Sequence, residues 1–326
     1  MAFLLAASGC TCRPATTAAG PNAPAPAAPA KPARSGPIEH YTPEFVQVRG
    51  LIGLRVFMQG GQWWRLAVDP RTLRTEIIDP ALGGTPLIEP SIPTSPYNTL
   101  RLAAEQHDSA LQDAGLTHLL PSESGVALTV DLCPSRKSFD FRIIDALLRD
   151  VPASARPVPI AFAVSGVWLE EHAADLAKLK ALDGKDLSIT WINHSMHHRY
   201  DPKAPLKQNF LLEPGTNLIG EVLDAEVAML NRGLMPSVFF RFPGLVSDRT
   251  SVERVAQLGL IVVGSDAWLA KGEPARRGSI VLVHGNGNEP KGVDDLVGLL
   301  SREKKEAQAH HFLLLDLSES LAEEAR

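Results

Sequence analysis

Three of the chain's ten histidines, His194, His197 and His198, fall in the stretch Asn193-His-Ser-Met-His-His-Arg199. His194 and His198 are four positions apart. On one helical turn their rings would lie on the same face, where two imidazoles can share one divalent metal ion. A metal held by neutral imidazoles is a Lewis acid that polarises a carbonyl and lowers the pKa of water. The pair is weak evidence alone, since a His-rich surface loop has the same letters. Other residues able to do acid–base or charge chemistry are Asp131, Arg241, Asp266 and His284. What decides their meaning is whether the fold brings them to one place.

The elements that must position them follow from periodicity. Val126–Val130 reads as a strand and Phe139–Arg149 as a helix, then Pro159–Val164 as a strand and Val167–Leu182 as a helix. A strand around Ile189, from Asp186 to Ile192, leads into the histidines. A long loop from Arg199 to Asn217 and a helix over Leu218–Arg232 come next. Ser237–Phe240, Leu260–Val263, Ile280–Val283 and Phe312–Leu315 read as strands, separated by helices over Thr250–Leu258 and Val293–Gln308. Strands alternating with helices predict a parallel sheet with right-handed crossovers. The expected fold class is therefore α/β, a distorted (β/α) barrel of about seven parallel strands. Residues at the C-terminal ends of barrel strands are where such folds place their chemistry. Asp131, the histidine pair, Arg241, Asp266 and His284 follow successive strands in that position.

Upstream, Phe45–Val48, Gly53–Met58 and Gln62–Val68 read as short strands around the Gly60-Gly61 turn, forming a small β-rich element. Of Trp63 and Trp64, one is expected in the core and one on its rim. A helix is expected over Asn98–Ala114. The domains are then 1–9, a signal segment; 10–37, a tether; 38–120, the β-rich element plus helix; and 121–320, the catalytic domain. Ala7-Ser-Gly-Cys10 resembles a bacterial lipobox, with Cys10 as the lipidation site, although the apolar stretch before it is short and lacks a basic flank. Residues 13–37 are rich in Ala and Pro and read as an extended spacer. These readings place the protein in the bacterial cell envelope, lipid-anchored to a membrane. A net charge of −5, with both signs interspersed, gives no nucleic-acid footprint. Three cysteines make neither a disulfide framework nor a CxxC…CxxC zinc site.

Read in order, Thr129-Val-Asp131-Leu132, His194-Ser-Met-His-His198, Arg241-Phe-Pro243, Asp266-Ala-Trp268 and Leu282-Val-His284 resemble the ordered motifs of the polysaccharide deacetylase family with the NodB-homology domain. The resemblance covers residues 126 to about 315. It implies a carbohydrate esterase that hydrolyses the amide of an N-acetyl amino sugar, in an acetylated polysaccharide or peptidoglycan, with a divalent metal, zinc by preference. It makes His194 and His198 metal ligands, Asp131 the base and His284 the acid. Arg241 would pair with Asp131, Asp266 would orient His284, and Leu282, Gly244 and Trp268 would contact substrate. One position departs. Where the family carries a ligating aspartate, this chain has Leu132, and two imidazoles alone hold zinc weakly. Three completions are open: Asp131 itself ligates, Asp140 or Asp201 reaches in, or the protein is an inactive glycan-binding lipoprotein. A hydrolase of a different amide or ester is a further alternative, because fold does not fix substrate. Cys133 has no histidine in local sequence and is not expected to be a nucleophile. His310 and His311 read as surface residues.

Overall fold

Two-residue turns with left-handed backbone fold the first described stretch into an antiparallel sheet. The computed structural model describes residues 35–87, 92–106 and 111–326. The expected signal segment, Cys10 and nearly all of the tether lie outside these residues. Strands β1 (Ile38–Val48), β2 (Leu51–Gln59), β3 (Gln62–Val68), β4 (Thr75–Ile78) and β5 (Thr85–Pro86) pair in the order β4-β3-β2-β1-β5. Gly60 and Gly61, with φ of 62° and 74°, make the β2–β3 hairpin turn that an L side chain would strain. Trp64 is buried with Phe57 and Leu66, whereas Trp63 stands 47% exposed, so one indole is core and the other rim.

The chain continues through α1 (Pro96–Gln106) into a second sheet. Its elements are β6 (Gly125–Leu132), α2 (Arg142–Asp150), β7 (Val158–Val164), α3 (Gly166–Glu171), α4 (Ala173–Leu182), β8 (Leu187–Asn193) and α5 (Leu218–Asn231). Then come β9 (Pro236–Phe240), α6 (Arg249–Gln257), β10 (Ile261–Val262), β11 (Ala267–Trp268), β12 (Ile280–His284), α7 (Pro290–Gln308), β13 (Leu313–Leu314) and α8 (Leu317–Glu324). Seven strands run parallel in the order β10-β9-β8-β7-β6-β12-β11, a distorted, incomplete barrel. Membership differs from expectation in one strand. The Phe312–Leu315 run yields β13, which pairs only with the first residues of β6, and the two-residue β11 takes a place on the path.

The gap between β10 and β11 is covered by the chain just past the helix expected over Asn98–Ala114. α1 is described as far as Gln106, residues 111–114 are not helical, and Leu116 lies along β10: its N–H donates to the Val262 carbonyl and its carbonyl accepts from Gly264. His118 bridges to Ser279 on the other side. Gly115 permits this approach, because a Cβ there would sit 2.2 Å from the Val262 oxygen. A second difference is a break at His172 in the helix expected over Val167–Leu182. The His172 ring meets the Ser135 carbonyl at 2.6 Å, which ties the helix break to the loop after β6.

Strand alternation sorts the side chains. On β6, Val126, Leu128, Val130 and Leu132 join the apolar layer containing Ile143 and Leu147 of α2 and Val293 and Leu296 of α7. Thr129 and Asp131 point the other way, into the barrel. β7 places Ala161 and Ala163 beside them, small residues that leave room for longer neighbours. No helix among the described residues is long and apolar enough to cross a membrane.

Candidate active site

The strand register sets Asp131 of β6 directly beside His284 of β12 at the end of the barrel. The same end receives Arg241, just past β9, and His194, just past β8. Arg241 is fully buried and its donors are all directed: Nη1 to Asp131 Oδ1 at 2.9 Å and to Thr129 Oγ1 at 2.6 Å, Nη2 to the Gly264 carbonyl at 2.8 Å. Burial pushes the Asp131 carboxyl up, but the charges of Arg241, His194 and His284 outweigh it and hold the group below the ordinary carboxylate range. The second oxygen, Oδ2, faces His194 Nε2 at 3.6 Å.

His194 and His198 meet, with ring centroids 4.8 Å apart, but not on a helical turn. Residues 194–198 form a loop in which Ser195 and His198 take left-handed backbone, φ 66° and 48°. Each such non-glycine residue costs about 1 kcal/mol, and the surrounding contacts hold it. The Ser195 and Met196 carbonyls accept from the N–H groups of Gly166 and Val167 at the start of α3. Gly166 leaves room for Met196, whose Sδ would lie 2.0 Å from a Cβ there and would have to move. His197 points out to Glu221 of α5, with Nδ1 2.7 Å from Oε1, and takes no part in the centre.

The donor next to the pair is Cys133, two residues beyond Asp131. Its Sγ lies 3.7 Å from His194 Nε2. Ligand atoms of Cys133, His194 and His198 all fall within 4.8 Å of one another. His194 Nδ1 donates to the Arg241 carbonyl at 2.8 Å, which leaves the Nε2 lone pair facing the cluster. His198 Nε2 is buried without a hydrogen-bond partner. A directed lone pair, an orphaned nitrogen and a thiol at these separations fit a single divalent ion. Leu132 packs outward among apolar side chains and contributes nothing. Neither Asp140 nor Asp201 comes near: Asp140 pairs with Arg142, and Asp201 accepts from the Lys203 N–H in its own loop.

His284 departs from expectation in its partner. Asp266 does not touch it, because the chain returns to the far end of the barrel to begin β11. Asp266 accepts from the Ile280 N–H at 3.1 Å, four strand residues and roughly 13 Å below His284, and pairs with His118 at 2.7 Å. The carboxylate at His284 is Glu289, at the N-terminus of α7, with Oε2 2.9 Å from Nδ1 but off the ring N–H axis. Glu289 also accepts from Trp268 Nε1 at 2.7 Å. Burial pushes His284 down, while Cys133, Glu289 and Asp131 push it up and prevail, well above the ordinary histidine value.

These groups open on a cleft of about 790 Å³ lined by Cys133, His198, Tyr200, Phe210, Gly244, Trp268, His284 and Glu289. Gly244 carries φ 61°, and a Cβ there would collide with the Phe210 ring at 2.6 Å. Leu282 is fully buried beneath Leu245 and Trp268 and supports the floor rather than lining it. Trp268 has Lys271 Nζ 3.5 Å above its ring, so that face is already taken. The 199–217 loop supplies the more open aromatic: Tyr200 is 58% exposed and stacked on Phe210 at 5.0 Å. Cys133 and Glu289 are the residues sequence reasoning missed. The signal for Cys133 was its parity with Asp131; Glu289 had none, its reach depending on how α7 begins.

No family model matches the chain. Among solved structures it is similar to a family 4 carbohydrate esterase from Bacillus anthracis, 16% identical, TM-score 0.48, over 72% of this chain and 95% of that one. It is similar to a peptidoglycan deacetylase from Bacillus subtilis at 16% identity and TM-score 0.43, over 63% and 92% of the two chains. A family 4 pseudoenzyme from Bacillus anthracis is also similar, at 14% identity and TM-score 0.44, over 65% and 70%. The likeness is to carbohydrate esterases.

Proposed function

We propose that the protein is a metal-dependent hydrolase that removes acetyl groups from an acetylated glycan of the bacterial envelope, cleaving the amide of an N-acetyl amino sugar. The observation that carries this reading is Asp131 held ionised by a fully buried Arg241, beside His284 and 3.6 Å from His194, just beneath a cleft that His198 and His284 line. A divalent ion held by His194 and His198 would supply Lewis-acid polarisation of the acetyl oxygen and a lowered pKa for water. Asp131 accepts the proton of the attacking water at Oδ2, the oxygen that Arg241 leaves open. His284, kept protonated by its anionic neighbours, gives a proton to the departing amine. Tyr200 offers a ring face on which a sugar can stack. A lipid on Cys10 and the spacer after it would keep this cleft near envelope glycans.

The test is release of free acetate from N-acetylated chito-oligosaccharides and from peptidoglycan. The wild-type protein releases it and His194→Ala does not. Binding of these glycans with no acetate released would instead favour a non-catalytic glycan-binding protein.

Glu289 takes the orienting role that the motif order assigns to Asp266. Removing its charge takes away a group that raises the His284 pKa, so the protonated acid is lost at lower pH. In Glu289→Gln the alkaline limb of the kcat/KM profile moves down by about one pH unit, while Asp266→Asn leaves it in place. A shift in Asp266→Asn and none in Glu289→Gln would reverse the assignment.

A further inference from the structure

We propose that Cys133 is the third protein donor of the metal centre, making it a thiolate–imidazole–imidazole site for borderline, thiophilic ions such as Zn²⁺ and Co²⁺. This rests on the reading of the cleft as a metal site and adds its missing ligand. Side chains of β6 alternate, and Leu132 is committed to the helix-facing layer. The next inward position after Asp131 is therefore 133. There the backbone is pinned: Asn286 Nδ2 donates to the Cys133 carbonyl at 2.7 Å, and Ser165 Oγ to the Leu132 carbonyl at 3.0 Å. The thiol is thus fixed on the histidine pair rather than free to turn away.

Distance and chemistry agree. In a tetrahedral zinc site with Zn–S near 2.3 Å and Zn–N near 2.0 Å, neighbouring donors stand roughly 3.3–3.8 Å apart. Cys133 Sγ and His194 Nε2 are 3.7 Å apart, and the whole set of three donors lies within 4.8 Å, so it has to draw in slightly to close on one ion. The rival donor, Asp131, also brings Oδ2 within 3.6 Å of His194 Nε2, but its other oxygen is held by Arg241 Nη1 at 2.9 Å, and it is Cys133 whose donor atom converges with those of both histidines. A thiolate with two imidazoles is a soft to borderline donor set. It favours zinc and cobalt over magnesium, calcium and manganese, which take oxygen ligands. A carboxylate at position 132 would face the helix layer with Leu132's neighbours, so the donor that faces the histidine pair is the inward-pointing Cys133.

Cobalt reports the ligand directly. Metal-free full-length protein titrated with Co²⁺ should develop a near-ultraviolet thiolate-to-cobalt charge-transfer band that saturates at about one equivalent. Cys133→Ser should lose the band and bind Zn²⁺ more than about tenfold more weakly, since even second-shell changes cost 10–100-fold. Cys133→Asp should recover one-to-one binding without the band and accept Mn²⁺ more readily. Stoichiometric cobalt binding by the wild type with no charge-transfer band would overturn the assignment while leaving the deacetylase reading intact. A cobalt site with the band but no acetate release from any acetylated glycan would do the reverse.

Discussion

Asp131→Asn should lower kcat for acetate release by about 10²- to 10⁴-fold, the span that a positioned general base contributes. Asparagine is the informative replacement because its amide oxygen can still accept from Arg241 Nη1, now 2.9 Å from Oδ1. Both replacements remove the counter-charge of the buried guanidinium, but alanine also takes away the acceptor of Nη1, and breaking a buried pair from one side costs up to about 3–5 kcal/mol. Rate loss would then be confounded with unfolding. Arg241 also reaches Thr129 Oγ1 and the Gly264 carbonyl, so the asparagine variant keeps most of its anchoring. The expected result is a large fall in kcat, a thermal midpoint lowered less than by alanine and an unchanged metal content. Loss of metal together with activity would mean that Asp131 is itself a ligand. Near-wild-type kcat would remove it from the chemistry.

Glu226→Ala should destabilise the protein by about 3–5 kcal/mol, lowering the thermal midpoint by roughly 6–20 °C. Glu226 on α5 receives Arg55 of β2 through two parallel bonds, Nε at 2.8 Å and Nη2 at 2.9 Å, with both side chains buried. The Tyr41 hydroxyl donates to the same carboxylate at 2.8 Å, and Arg55 Nη1 donates to the Leu54 and Leu258 carbonyls. This network ties the N-terminal sheet to the barrel. Removing the carboxylate strands a buried cation. Converting both residues together, Arg55→Met with Glu226→Leu, should recover most of the loss, because the cost lies in the unpaired charge rather than in the absence of a bond. Urea denaturation of the single and double variants checks this. A Glu226→Ala variant as stable as wild type would show that the sheet is held by its apolar contacts alone, such as Phe57 and Leu66 against Leu230.

Local pattern carried the barrel and failed where function depends on distant pairing. The β-branched runs of β6, β7 and β8 and the glycine hairpin of β2 and β3 are set by local sequence, and they lie where periodicity placed them. β11 is two residues long, too short for any period, and its position exists only through pairing with β12. Its late start is what separates Asp266 from His284. The HxxxH spacing predicts that the rings of His194 and His198 meet, and they do, for another reason. They converge through left-handed loop residues at Ser195 and His198, not through helical geometry. Cys133 was legible in principle, since alternation from Asp131 points at it, but the family order drew attention to position 132. Arg55 and Glu226 are 171 residues apart, and nothing in either neighbourhood announces the pair.

Acetate release measured before and after metal removal bears most directly on the central claim. Purified protein is assayed on an N-acetylated chito-oligosaccharide, then stripped with a chelator, dialysed and assayed again with and without added Zn²⁺. The account predicts release by the untreated protein, loss on stripping and recovery at about one equivalent of zinc, with His194→Ala inactive throughout. Undiminished release after metal is shown to be gone would contradict it.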